Sequence, residues 1–92
     1  MNWDDPLDPV AISVSEVLSG ERPILLVRHD AGHGGWQFYD GYDTAGRKPV
    51  VAPKPVFLSL DATITALTDL PVGWLARRAD AQAPWERSRI VV

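Results

Sequence analysis

The sequence predicts an α+β fold, in which a small antiparallel sheet of about four to five strands carries two short helices. Two observations lead to this fold class. A central stretch, residues 24–41, alternates like a β-hairpin, and residues 14–19 and 61–67 have apolar side chains at helical spacing. A chain of 92 residues supports one core, so we expect a single domain over residues 10–92 after an extended lead-in over residues 1–9.

The central hairpin carries the strongest strand signals. Its first arm, residues 24–29, is a run of branched aliphatic side chains that ends in polar ones. A glycine-rich turn over residues 30–35 supplies positions that tolerate a positive φ. In the second arm, Trp36 and Phe38 fall on the same face of a strand, and we predict that they form a core pair.

A strand and a helix are predicted before the hairpin. Residues 10–12 are a short apolar run that we interpret as an edge strand. Ser13 and Glu16 have the spacing of a capping box, and Gly20 fits the end of a helix. The pattern therefore predicts a short helix over residues 14–19.

Strands also dominate the chain after the hairpin. We predict them over residues 50–52, 74–78 and 85–92. Residues 53–58 leave two alternatives open, because prolines within the segment favour either the first turn of a helix or an extended chain.

The second helix is predicted over residues 61–67. Asp61 is a good N-cap, and Pro71 lies just beyond the helix end. Because threonines lower its intrinsic helix propensity, this helix is expected to depend on packing.

The composition is that of an ordinary globular chain with a small negative charge. Apolar residues make up 46%, and the net charge of −3 mildly favours a basic protein partner and gives no sign of nucleic-acid binding. The lack of cysteine excludes disulfides, thiolate metal sites and thiol nucleophiles. The N-terminus is acidic, and no stretch has the length of a membrane span, so we expect no signal peptide, no membrane contact and a cytoplasmic location.

Three segments carry a family resemblance. Residues 35–41 read Gly-Trp-Gln-Phe-Tyr-Asp-Gly, residues 60–61 read Leu-Asp, and residues 67–78 read Leu-Thr-Asp-Leu-Pro-Val-Gly-Trp-Leu-Ala-Arg-Arg. This outline resembles a family of small uncharacterised bacterial proteins, related to proposed immunity proteins of polymorphic toxin systems (immunity protein 33-like). Ala62 departs from the pattern, in which a proline commonly follows the aspartate. The resemblance implies the fold and a role in binding a toxin-like protein.

His29, Asp30 and His33 form the most suggestive chemical cluster. Two imidazoles and a carboxylate are a minimal set of metal ligands, and Asp30 is also able to orient His29 as a base. The three residues flank a turn instead of sharing a helix face. The alternative interpretation is therefore turn chemistry, with Asp30 bonding loop amides and His33 in solvent.

Four residues are candidates for contact with a partner: Asp40, Asp43, Trp85 and Trp3. The two aspartates flank a Gly-Tyr pair, and paired carboxylates divide acid and base roles or bind calcium. Their spacing does not match a calcium loop, and Asp-Gly is typical of a turn. The two tryptophans lie in polar surroundings near the chain ends, where either an interface or simple packing of the termini accounts for them.

Four arginines make the last quarter of the chain locally basic: Arg77, Arg78, Arg87 and Arg89. In a strand, Arg77 and Arg78 point to opposite faces, which argues against a single phosphate-binding patch. We interpret the four as a solvated edge whose charge protects the sheet against aggregation.

Three function classes follow from these patterns. The favoured one is a non-catalytic protein-binding module, immunity- or inhibitor-like, that binds a mildly basic protein and uses no cofactor. The second is a small metal- or ligand-binding domain built on His29, Asp30 and His33. The third is an accessory domain that dimerises weakly through an exposed strand edge, whereas the first is expected to be a monomer with a stoichiometric partner.

Overall fold

The computed structural model describes residues 10–30 and 35–90, which contain six strands and three helices. The strands are β1 Val10–Val14, β2 Leu26–His29, β3 Trp36–Tyr39, β4 Pro49–Pro53, β5 Trp74–Arg77 and β6 Glu86–Arg89. The helices are α1 Ser15–Leu18, α2 Lys54–Leu60 and a 3₁₀-helix, Ala62–Leu67. The α+β prediction is confirmed, with one more strand and one more helix than expected. The predicted lead-in over residues 1–9 lies outside the described residues.

The six strands form one mixed sheet in the order β4-β1-β3-β2-β5-β6. The β1–β3 pair is parallel and the other described pairs are antiparallel, so the expectation of an antiparallel sheet is wrong at this one pair. The prediction of residues 10–12 as an edge strand is also wrong, because β1 lies between β4 and β3.

One face of the sheet carries the core, and the helices pack on it. Trp36 and Phe38 are 2% and 0% exposed, which confirms the predicted core pair. The rings of Phe38 and Phe57 of α2 have centroids 4.7 Å apart. The core also contains Val17 of α1 and Ile64 of the 3₁₀-helix, so the three helices share one apolar cluster with the sheet.

The predicted capping box does not form. Val14 occupies the N-cap of α1 without a side-chain cap, and Ser13 is still within β1. The Ser13 hydroxyl donates to the carbonyl of Phe38, which is its neighbour across the parallel pair. A buried hydroxyl requires a partner, and the sheet offers one before the helix begins.

The chain between β4 and β5 forms two successive helices. Pro55 lies in the first turn of α2, so the helical alternative for residues 53–58 is the one realised. Asp61 then caps the 3₁₀-helix by accepting from the amide of Thr63 at 2.9 Å, as predicted for an N-cap. Among the described residues, no helix combines the length and the apolar character that a membrane crossing requires.

Candidate functional site

A groove of about 440 Å³ lies where the segment before β2, the end of α2 and the loop after β5 meet. Its apolar lining includes the buried side chains of Val17 and Ile24 and the 42% exposed side chain of Leu60. Polar residues line its remaining sides: Arg22, Asp61 and Gln82. The groove is therefore a mixed polar and apolar depression, in which Leu60 supplies exposed apolar surface and Arg22 and Asp61 carry opposite charges.

Arg22 forms the first polar wall, and three contacts fix its position. Its backbone N–H donates to the carbonyl of Glu16 at 3.1 Å. Its guanidinium lies 4.3 Å above the ring of Tyr42, and its Nε is 3.7 Å from Oδ2 of Asp40. Tyr42 is 60% exposed, so the stacked pair presents a cation and an aromatic ring to solvent beside the groove.

Asp40 lies behind Arg22 and is buried at 1% exposure. Its two oxygens accept from Nη1 and Nη2 of Arg47 at 3.1 and 2.7 Å, and Oδ1 also accepts from the amide of Tyr42 at 3.1 Å. The hydrogen bonds from Arg47 hold the pKa of Asp40 below its ordinary value, with further support from the Tyr42 amide and Arg22. Asp40 is thus an ionised anchor beneath the groove wall.

Arg47 links Asp40 to the helix α1. Its Nη2 is 3.3 Å from Oε1 of Glu16. The pKa of Glu16 is lowered by hydrogen bonds from the backbone amide of Glu16 and from Arg47. The carboxylates of Asp40 and Glu16 together raise the pKa of Arg47. The loop after β3 is therefore tied to the start of the segment that carries Arg22.

Arg78 supports the second polar wall from inside the protein. This arginine is 4% exposed, and its Nε and Nη2 donate to the carbonyl of Ile24 at 3.0 and 2.8 Å. Its Nη1 donates to Thr63 Oγ1 at 3.0 Å and to the carbonyl of Ala81 at 3.2 Å. Its Nη2 also donates to Asp61, which lines the groove.

Asp61 is held as a carboxylate by the same contacts. Partial burial opposes its ionisation, but hydrogen bonds from Thr63 and Arg78 outweigh that effect, and its pKa lies below the ordinary value. The position of the Asp61 wall is thus set by a cap and an ion pair at once.

None of the predicted contact residues that the structure describes lines the groove itself, but two of them contact arginines at its walls. Asp40 lies behind Arg22, and Trp85 lies half-buried under the guanidinium of Arg78, with 4.2 Å to the ring centroid. Asp43 is exposed and accepts from the amide of Ala45 at 2.9 Å in a turn. Trp3 lies outside the described residues. Roles for these side chains in binding stay predictions.

The first two residues of the predicted metal cluster, His29 and Asp30, lie on opposite faces of the sheet. His29 is buried, its Nδ1 donates to the carbonyl of Leu70 at 2.6 Å, and its ring stacks on Trp36 at 3.9 Å. Asp30 lies on the other face of the sheet and accepts from Nε2 of Gln37 at 2.7 Å. His33 is outside the described residues, so the three-residue hypothesis stays a prediction. Within residues 10–30 and 35–90, no group of three histidine, aspartate or glutamate side chains is placed to hold a metal ion.

Sequence reasoning missed the arginines that shape the groove. The interpretation of Arg78 as part of a solvated edge is wrong, although Arg77, Arg87 and Arg89 are exposed as expected. The alternation of β5 places Arg78 on the same face as the buried Ala76, and that signal was sufficient to find it. Arg22 lies in a segment without periodicity, where no comparable signal exists.

Comparisons of the chain with protein-family models, curated proteins and solved structures found no match. The resemblance to immunity proteins accordingly stays a prediction based on the sequence motifs.

Proposed function

We propose that the chain is a non-catalytic protein-binding module of the immunity or inhibitor type, and that the groove beside Arg22 and Tyr42 is its contact surface. The observation that carries the proposal is the stacking of Arg22 on the exposed ring of Tyr42, next to a groove of mixed polar and apolar lining. Arginine and tyrosine are enriched among residues that dominate binding energy. An apolar centre with a polar rim is the usual anatomy of a protein interface.

The fixed position of Arg22 favours binding. Ordering a free arginine side chain on association costs about 0.5–1.5 kcal/mol, and part of that ordering is already present here. Tyr42 and Asp40 hold its guanidinium in place before any partner arrives. The wall is therefore preorganised to receive a partner group.

The expected partner is a mildly basic protein that inserts an apolar side chain. Leu60, which is 42% exposed, provides most of the apolar surface for that side chain, and the buried Val17 and Ile24 lie behind it. The net charge of −3 and the sequence pI of about 5.1 favour encounter with a basic molecule. Affinity is then set by the apolar contact, and the association rate by charge.

The test is affinity capture from a lysate of the source organism with matched variants. The wild-type chain and Val72→Asp are expected to capture the same stoichiometric protein, whereas Leu60→Asp and Tyr42→Ala lose it. Val72 is 52% exposed and does not line the groove, which makes it a control for adding a charge to an exposed apolar site. Loss of a dominant contact corresponds to about 2 kcal/mol, or a roughly thirtyfold weaker complex.

Expression of the captured protein tests the inhibitor function. Alone it is expected to slow growth, and co-expression with the wild-type chain but not with Leu60→Asp is expected to restore growth. Equal capture by all four chains contradicts the groove as the contact surface. Recovery of the bare chain contradicts a stable protein partner under the growth conditions used.

A further inference from the structure

The outer edge of β6 is unpaired among the described strands. The sheet order ends at β6, and its four residues, Glu86–Arg89, are all exposed. An edge strand presents a row of N–H and C=O groups that templates the addition of another strand.

The hydrogen bonds of β5 identify the outward groups. The amide of Arg78 donates to the carbonyl of Leu25 on the β2 side, whereas Ile90 donates to the carbonyl of Gly73 on the β6 side. Because successive residues of a strand bond to opposite sides, Glu86 and Ser88 share the orientation of Ile90 and face β5. The N–H and C=O groups of Arg87 and Arg89 therefore point away from the sheet.

The side chains at these two positions are cationic and share one face. Arg87 lies opposite the buried Ala76, so both arginines are on the helix-covered face. Nη2 of Arg87 donates to Asp69 at 2.9 Å and to the carbonyl of Ala66 at 2.8 Å, which holds it beside the edge. A strand added here would meet a positive side chain at every second residue.

A second copy of the chain fits this edge poorly. When β6 of two copies pairs antiparallel about a two-fold axis, each residue lies opposite a residue whose side chain is on the same face of the sheet. Because the outward N–H and C=O groups belong to residues 87 and 89, three registers are possible at the centre of the pair. These place Arg87 against Arg87, Arg87 against Arg89, or Arg89 against Arg89 of the other copy. Like charges directly opposite each other destabilise a strand pair, so each register is opposed.

The opposite edge of the sheet lacks these properties. β4 begins and ends with Pro49 and Pro53, which have no N–H to donate. Proline at an edge is a known protection against strand addition. Of the two sheet edges, β6 is the one with a full set of outward donors.

We propose that β6 accepts an extended acidic segment of another protein as a seventh strand, with carboxylates at alternate positions beside Arg87 and Arg89. Backbone hydrogen bonds supply the affinity of such an addition, and the alternating side chains supply its selectivity. The surface is separate from the groove, and the inference does not depend on the proposed function.

The probe is the peptide acetyl-Val-Glu-Thr-Glu-Val-amide, compared with its Gln-for-Glu counterpart. Titration monitored by amide NMR shifts is expected to give up to about fivefold tighter binding of the Glu peptide, because each Glu faces an arginine, although Asp69 already neutralises part of the charge of Arg87. On binding, hydrogen exchange of the Arg87 and Arg89 amides is expected to slow, because these outward N–H groups become bonded. The amide of Ser88 already faces β5 and is expected to change little.

Three variants separate the contribution of the arginine charge to peptide binding from the contribution of the backbone N–H group. Arg89→Ala removes one cation, and Arg89→Pro removes the cation and the outward N–H while the bonds to β5 remain. We expect Arg89→Pro to bind the Glu peptide more weakly than Arg89→Ala, and Arg77→Ala, which removes a charge from the other face, to bind as wild type. Equal binding of both peptides, protection at another part of the sheet, or no binding of the Glu peptide overturns the proposal.

Discussion

At the scale of single residues, the dominant feature is a buried arginine. Arg78 bonds to the carbonyls of Ile24 and Ala81 and to the side chains of Asp61 and Thr63. A guanidinium is suited to this task because its donors spread in a planar fork, which a lysine ammonium does not reproduce. Arg78 therefore determines both stability and the shape of one groove wall.

Replacement of Arg78 by Ala is expected to destabilise the fold by about 3 kcal/mol, because it leaves a carbonyl and a carboxylate without their buried donor. Arg78→Lys keeps the charge but not the fork, so we expect it to recover less than half of the loss. Urea denaturation at pH 7 measures both effects. The exposed Arg77→Ala is the matched control and is expected to change stability by less than about 0.5 kcal/mol.

Asp40 is expected to contribute to stability in a pH-dependent way. Its pKa is lowered in the folded state, chiefly by the hydrogen bonds from Arg47, while the unfolded chain has a pKa of about 3.9. The unfolded state therefore binds the proton more readily, so this stability is full above about pH 5 and is lost as pH falls through the folded pKa. Asp61 and Glu16 act in the same direction.

Asp40→Asn isolates that contribution. At pH 7 we expect a loss of about 2 kcal/mol, since Asn keeps only one acceptor oxygen for the two hydrogen bonds from Arg47 and carries no charge to pair with it. The difference from wild type is expected to shrink as pH falls below about 4. Urea titrations from neutral to acidic pH measure it, and a constant difference throughout contradicts the assignment. The exposed Asp43→Asn serves as the control.

At the scale of elements, local signals identified most strands and the capped 3₁₀-helix. Trp36 and Phe38 alternate clearly with polar residues, and Asp61 is a cap with an unambiguous role. The start of α1 was misread, because the spacing of Ser13 and Glu16 matches a capping box while the Ser13 hydroxyl has a long-range partner across the sheet. A sequence pattern shows only which nearby groups a side chain is able to bond. Here a hydrogen bond to a strand distant in sequence took the Ser13 hydroxyl away from the helix start.

The prolines of β4 are expected to keep its edge from pairing. Val51 is 61% exposed at the centre of this strand, so the edge is apolar, and the missing N–H groups of the prolines at its two ends are the protection. Pro49→Val restores one outward N–H, and we expect self-association that rises with concentration in light scattering. Adding Val51→Lys to the same variant is expected to restore the monomer. A Pro49→Val chain that stays monomeric contradicts this account of the edge.

At the scale of the whole molecule, the order of the strands was beyond sequence reasoning. β3 lies between β1 and β2, so the chain leaves β1, forms α1 and β2, and then returns to fill the gap. Nothing in the local pattern of residues 10–12 distinguishes an interior strand from an edge one. The groove was not predictable for the same reason, because Arg22, Leu60 and Gln82 are distant in sequence and meet only in the fold.

The charges of β6 are expected to keep the whole molecule monomeric. One antiparallel register joins Arg87 of each copy to residue 89 of the other. In that register Arg89→Glu converts two repulsive charge pairs into two attractive ones, each worth about 0.2–1 kcal/mol. We expect sedimentation to show a monomer for wild type and a concentration-dependent dimer for Arg89→Glu. Arg89→Ala removes the repulsion without adding attraction and is expected to associate less than Arg89→Glu. Identical behaviour of the three chains contradicts a role for charge at this edge.

The contacts of Arg78 have a consequence for local opening. One side chain joins the segment before β2, the cap of the 3₁₀-helix and the loop after β5, so the opening of any one of them leaves the same buried guanidinium with an unpaired donor. Such segments are expected to open as one cooperative unit. In native-state hydrogen exchange, the amides of Thr63 and Arg78 should share one opening free energy and one denaturant dependence, although fifteen residues separate them.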